Sequence, residues 1–224
     1  MKKIIYYAAG ILVFLCLNGC KNEPAAPPPP SLVCLGDSLT AGFGAAAPGR
    51  EDRTKSYPAY LQKKVNLPVI NAGQSGDTTS NARSRIRTGV LAKNPRIVVI
   101  ELGANDFLLA NDPPAATQNN LQEIIRAIDN GERKIYLAKF YTKEVVESMP
   151  GLGDPAALMS QYDAMFEYLA SLSSNIELIE DIWSGVWGIY MSDSVHPNAK
   201  GYEIMADNYY RAMEPYLREH GFIQ

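Results

Sequence analysis

Residues 96–140 read RIVVIELGANDFLLANDPPAATQNNLQEIIRAIDNGERKIYLAKF, a stretch of two apolar runs joined by a helical stripe. It opens on a short apolar, β-branched run, Arg96–Leu102, stopped by Gly103. It closes on a second such run, Lys134–Phe140. Between them Leu121, Ile124, Ile125 and Ile128 fall at i, i+3, i+4 and i+7, the stripe of a helix that buries one face. The gap between the two runs exceeds the dozen or so residues that a parallel crossover needs.

The same alternation continues outward. Further short runs lie at Ser31–Leu35, Leu67–Asn71 and Ile176–Glu180. A second helical stripe is formed by Leu158, Tyr162, Met165, Phe166 and Leu169, and a third by Ile204, Met205, Tyr209, Ala212, Met213 and Tyr216. Strands alternating with helices predict an α/β fold, a five-stranded parallel sheet with helices on both faces in three layers. In such sheets ligands bind beyond the carboxyl ends of the strands. Chemistry is therefore to be sought immediately after each run.

Composition narrows the classes. The 224 residues are 46% hydrophobic and 20% charged, which is globular composition and excludes a disordered chain or a fibre. A formal net charge of −3 gives no electrostatic footprint for nucleic acid. Two histidines and three cysteines, without ligand spacing, predict no metal site.

The N-terminus is read as an address and a tether. Met1-Lys2-Lys3 precedes an apolar run from Ile4 to Leu17, too short to span a bilayer comfortably, which is the pattern of a secretory signal over residues 1–19. Leu17-Asn18-Gly19-Cys20 resembles a bacterial lipobox, which implies lipidation of Cys20. Residues 20–30 continue as KNEPAAPPPP after the cysteine, an extended polyproline spacer. At about 3.1 Å per residue it would hold a domain about 30 Å from its anchor. The domain itself is expected over residues 31–224, exported, membrane-anchored through the lipid, and facing the periplasm or the cell surface, with the outer membrane favoured. With Cys16 removed and Cys20 lipidated, Cys34 is left as a free thiol in an apolar strand.

Four polar clusters follow strands. Gly36-Asp37-Ser38-Leu39-Thr40-Ala41-Gly42 sets a serine in a strand-to-helix turn, where a hydroxyl can act as nucleophile or as a helix cap. Asn71-Ala72-Gly73-Gln74-Ser75-Gly76-Asp77 offers glycines that let backbone N–H groups turn toward a ligand. Leu102-Gly103-Ala104-Asn105-Asp106 offers an uncharged amide donor. Asp193-Ser194-Val195-His196-Pro197-Asn198 sets a carboxylate three residues before a histidine, within reach of its ring. A nucleophile, amide donors and an oriented base on one sheet edge are the parts needed for acyl transfer.

The ordered set GDSLTAG, NAGQSGDTT, LGAND and DSVHPNAKGY resembles the four blocks of the SGNH (GDSL) hydrolase family, in its thioesterase/lysophospholipase-like branch, over about Leu32 to Tyr202. The resemblance implies a flavodoxin-like sheet of order 2-1-3-4-5. It implies a triad of Ser38, Asp193 and His196, and an oxyanion hole formed by Ser38, Gly73 and Asn105. It implies no metal and no organic cofactor. Phe43, Phe107, Leu108, Leu109, Ile189 and Tyr190 flank the blocks and are expected to line the substrate cleft. The expected activity is hydrolysis of a small carboxylic ester, a thioester or a lysophospholipid by a monomer. The alternatives are a carbohydrate O-acetyl esterase on the same scaffold and a non-catalytic surface-anchored binding protein. Gly42–Ala47 mimics a dinucleotide-binding GxGxxA but lies several residues past its strand, beyond the tight turn that would carry phosphate.

Overall fold

The computed structural model describes residues 28–110, 112–143, 146 and 154–224. The signal segment, Cys20 and most of the proline-rich spacer lie outside the described residues.

Five strands form one parallel sheet: β1 (Ser31–Gly36), β4 (Val69–Gly73), β5 (Pro95–Glu101), β6 (Lys134–Ala138) and β7 (Ile176–Ile179), in the order β4-β1-β5-β6-β7. Counted among these five alone, that is the expected 2-1-3-4-5. The helices are α1 (Ser38–Ala41), α2 (Tyr57–Leu61), α3 (Thr79–Ser84), α4 (Ala104–Leu108), α5 (Pro114–Ile128), α6 (Pro155–Ala170) and α7 (Ala199–Glu219). A small antiparallel hairpin, β2 (Phe43–Ala47) with β3 (Arg50–Glu51), follows α1.

Alternate residues of each strand face opposite layers. Leu32 and Cys34 of β1, with Ile97 and Val99 of β5, pack against Tyr57 and Leu61 of α2 and against Tyr202, Met205, Tyr209 and Met213 of α7. Val33, Leu35, Val98 and Ile100 pack on the other side against Leu121, Ile124, Ile125 and Ile128 of α5 and Tyr162, Met165, Phe166 and Leu169 of α6. All three sequence stripes therefore serve as core faces. Both faces of the sheet are covered, which is why its strands are apolar runs rather than alternating ones. Cys34 is fully buried and free, and burial pushes its thiol up to about 12.

Register fixes the site. Gly36 pairs with Gly73 of β4 on one side and with Glu101 of β5 on the other. Three strands thus end level, and the turns that follow them open side by side on one edge.

Candidate active site

Ser38 is the first residue of α1. Asp37 caps that helix, its Oδ1 accepting the N–H of Leu39 at 3.0 Å. The amide of a first helical residue has no intrahelical acceptor, which leaves the Ser38 N–H available to a ligand.

His196 comes from the loop before α7. Asn198 caps that helix by accepting from Lys200 N at 3.0 Å and Gly201 N at 3.1 Å, and its Nδ2 donates to Ile189 O at 2.9 Å. The loop is thereby tied on both sides of the histidine. The imidazole packs against Phe43, with ring centroids 4.7 Å apart. Tyr202 holds that phenylalanine in turn, its hydroxyl donating to Phe43 O at 2.7 Å.

The imidazole Nδ1 lies 2.9 Å from Asp193 Oδ2, and Nε2 lies 2.9 Å from Ser38 Oγ. A carboxylate at Nδ1 keeps the proton there and leaves Nε2 free to accept from the serine hydroxyl. Asp193 Oδ1 also accepts from Val195 N at 2.9 Å and His196 N at 2.8 Å. Partial burial works against its charge, but the Val195 N–H and the His196 ring and N–H outweigh it and hold Asp193 below the usual carboxylate range. The arrangement can move a proton from Ser38 to His196 and stabilise the cation that results.

Asn105 sits on α4, 8% exposed, with Nδ2 donating to Asp77 O at 2.9 Å and, over a longer 3.3 Å, to Asp37 Oδ2. It lines the same cavity as Ser38 and His196.

Gly73 is the exception among the expected donors. It is the last residue of β4, and its N–H donates to Asn71 Oδ1 at 2.9 Å. Glycine is required there for closeness: a Cβ would stand 2.4 Å from Ala41 N. Gly73 therefore packs β4 against α1 and does not reach the cavity. Gly76, three residues on, does line it. Its φ is +86°, a left-handed conformation that glycine adopts without strain, and its N–H has no partner among the described residues. The missed signal was the second glycine of NAGQSG, which stands beyond the strand end.

The cavity has a volume of about 280 Å³. Phe43, Phe107, Leu108 and Leu109 line it as expected, joined by Phe140, Tyr141, Leu158, Tyr162 and Trp183. Ile189 and Tyr190 do not. Their short 3₁₀ turn uses its backbone to receive Asn198, and the Ile189 side chain is 83% exposed. The aromatic wall from the end of β6 and from α6 could not be assigned to the site from sequence, because Tyr162 and Phe140 read there as core.

A strand-edge serine, a histidine bound to a carboxylate and an apolar cavity beside them define a hydrolase of the SGNH type. Residues 34–204 match the model of the GDSL-like Lipase/Acylhydrolase family, and the chain belongs to that family of enzymes acting on ester bonds. An arylesterase of Vibrio mimicus is 34% identical over 133 residues, which cover 57% of this chain and 60% of that protein. Thioesterase 1/protease 1/lysophospholipase L1 of Escherichia coli (strain K12) is 26% identical over 192 residues, 83% of this chain and 84% of that protein. Among solved structures, that of TesA superposes with a TM-score of 0.68 at 25% identity, covering 83% of this chain and 98% of the other.

Proposed function

We propose that the chain is a serine esterase working through an acyl-enzyme on Ser38, with His196 as base and Asp193 as its orienting partner. The observation that carries this reading is the continuous relay from Asp193 through His196 to Ser38, each step 2.9 Å, at the wall of an apolar cavity.

His196 takes the proton of Ser38 as Oγ attacks the ester carbonyl. Charge grows on the carbonyl oxygen, which the N–H groups of Ser38 and Gly76 and the amide of Asn105 receive. Such donors act on charge that exists mainly in the transition state, so they raise turnover rather than ground-state binding. His196 then gives its proton to the leaving alcohol, and water releases the acyl group by the same steps in reverse.

A cavity near 280 Å³ holds about nine groups the size of a water molecule. That volume and the apolar lining favour short to medium acyl esters, aryl esters or a lysophospholipid over an acetylated sugar. The Escherichia coli relative named as thioesterase and lysophospholipase supports including thioesters. For the chain ahead of Ser31, the reading is a cleaved signal, lipid on Cys20 and a proline-rich spacer. Support comes from the order of these segments and from Pro28–Pro30, which are exposed and lead into β1 at the sheet end opposite Ser38. Mass spectrometry of the mature N-terminus tests that part.

The test of the chemistry is Ser38→Ala with an aryl ester, together with labelling by a serine-directed phosphonate. Hydrolysis is expected to vanish with the fold retained, and the label to sit on Ser38. An unchanged rate, or label on Ser75, refutes the assignment.

A further inference from the structure

Two buried carboxyl groups lie directly beneath the site, and the reaction just described uses neither. Asp37 is 1% exposed and Glu101 is 0% exposed. They stand on neighbouring strand ends, since Gly36 pairs with Glu101, close enough for each carboxyl to act on the ionisation of the other. No lysine, arginine or histidine among the described residues pairs with either. Glu101 Oε2 is 3.1 Å from Thr40 Oγ1, which is itself 3.2 Å from the Tyr57 hydroxyl, and Oε1 has no hydrogen-bond partner. Asp37 has neither oxygen orphaned: Oδ1 accepts from Leu39 N at 3.0 Å and Oδ2 from Asn105 Nδ2 at 3.3 Å.

Two like charges cannot both be held in a dry site without a cation. One proton must stay, and the unequal hydrogen bonding decides where. The anion belongs on Asp37, which caps α1 and meets two N–H donors. The proton belongs on Glu101, whose otherwise orphaned Oε1 then has a carboxylate to face.

We propose that Glu101 is a positioning residue: it holds the shared proton and donates toward Asp37, so that Asp37 remains the anion that orients the Asn105 amide and the turn carrying Ser38. The proposal rests on the esterase reading for its catalytic consequence, though not for the proton itself. Other groups around the pair do not supply the missing cation. Asp77, after β4, is matched by Arg85 at 2.6 Å, and Asp106 on α4 is held by Thr79. Tyr57 on α2, Tyr202 and Tyr209 on α7 and Cys34 on β1 are neutral near pH 7, their ionisation pushed up by burial. The Asp193–His196 pair lies above Ser38 and satisfies itself. Burial raises both members of the pair, Asp37 to about 7 and Glu101 well above its ordinary value.

The test compares Glu101→Gln, which keeps a neutral donor, with Glu101→Leu, which removes it. For E101Q, kcat on an aryl ester is expected within about twofold of the parent across the pH range, with the acid limb unmoved. For E101L, the acid limb of kcat moves up by about one pH unit, giving about tenfold loss at pH 7 that recovers by pH 9, with KM unchanged. An equal loss in E101Q, or an unmoved profile in a folded E101L, overturns the proposal. Infrared spectroscopy on the full resting protein at pH 8 gives a second readout that needs no turnover and stands even where E101L does not fold. A protonated-carboxyl C=O stretch that shifts in D₂O is expected in the parent and absent in E101Q. Its absence from the parent, or its survival in E101Q, overturns the proposal whatever the substrate proves to be.

Discussion

Replacing Asn105 by alanine separates chemistry from architecture at one residue. Its amide makes two contacts in the resting structure, to Asp77 O at 2.9 Å and to Asp37 Oδ2 at 3.3 Å. The first is a full hydrogen bond and the second is long. Leaving a buried carbonyl such as Asp77 O unpaired costs about 1–3 kcal/mol. For a domain of this size each kcal/mol lowers Tm by about 2–4 °C, so the fold survives with Tm lower by about 2–12 °C. The catalytic cost is separate. Removing one oxyanion donor typically lowers kcat by about 10²–10³, or about 2.7–4 kcal/mol of transition-state stabilisation. Steady-state kinetics on an aryl ester at 25 °C is therefore expected to show that fall in kcat with KM nearly unchanged. The phosphonylation rate of Ser38 is expected to fall in parallel, because that step also builds charge on an oxygen in the same place. A folded Asn105→Ala enzyme losing less than tenfold in kcat would show that the amide is only structural.

The two glycines are expected to fail in opposite ways. Gly73→Ala puts a Cβ 2.4 Å from the Ala41 backbone nitrogen and should cost stability, about 1–3 kcal/mol or more, read by urea unfolding. Gly76→Ala meets no atom within 4 Å but strains a φ of +86° by about 1–2 kcal/mol, so it should mainly cost kcat through a displaced donor. If Gly76→Ala is fully active while Gly73→Ala is stable and inactive, the donor has been misplaced. Asp193→Ala should lower kcat about 10⁴-fold while leaving the phosphonate site on Ser38 intact, and a loss under 10² would remove Asp193 from the relay. Stability should also depend on pH with opposing signs. Asp37, raised to about 7 by burial, stabilises the fold below the ordinary carboxylate value near 3.9, and that contribution is lost as pH rises toward 7. Asp193, lowered, contributes above that ordinary value and loses its contribution as pH falls through its folded value. Between pH 5 and 8 the raised carboxyls Asp37, Glu101 and Asp106 all act in one direction, so urea midpoints should fall across that range and fall less in Asp37→Asn; an identical slope in the variant would refute the Asp37 share.

The sheet was legible because a buried parallel strand has no solvent face to spend on polar residues. Val33, Val98 and Ile135 serve one layer while Leu32, Ile97 and Tyr136 serve the other, so each strand reads as an unbroken apolar run. The helices were legible from their one-sided stripes: Leu121, Ile124, Ile125 and Ile128 are buried to a residue. The β2–β3 hairpin was not. Phe43–Ala47 has neither alternation nor β-branched residues, and its only signal is Pro48-Gly49 at the turn. Its role is tertiary, since it carries Phe43 to the face of His196, and no local propensity encodes that contact.

The step from Gly73 to Gly76 follows from where the second strand of the sheet ends. The apolar run closes at Asn71, but pairing with β1 carries β4 through Ala72 and Gly73, level with Gly36. At Gly73 α1 crosses so close that nothing larger fits, and a residue's own identity does not announce its neighbour's distance. Once the strand is two residues longer, the turn that follows it begins at Gln74. The N–H of Gly73 is then taken by Asn71, while the left-handed glycine beyond it lines the cavity. Donor geometry at such an edge is set by the last paired residue, so the Gly73 and Gly76 substitutions above measure strand register as much as catalysis.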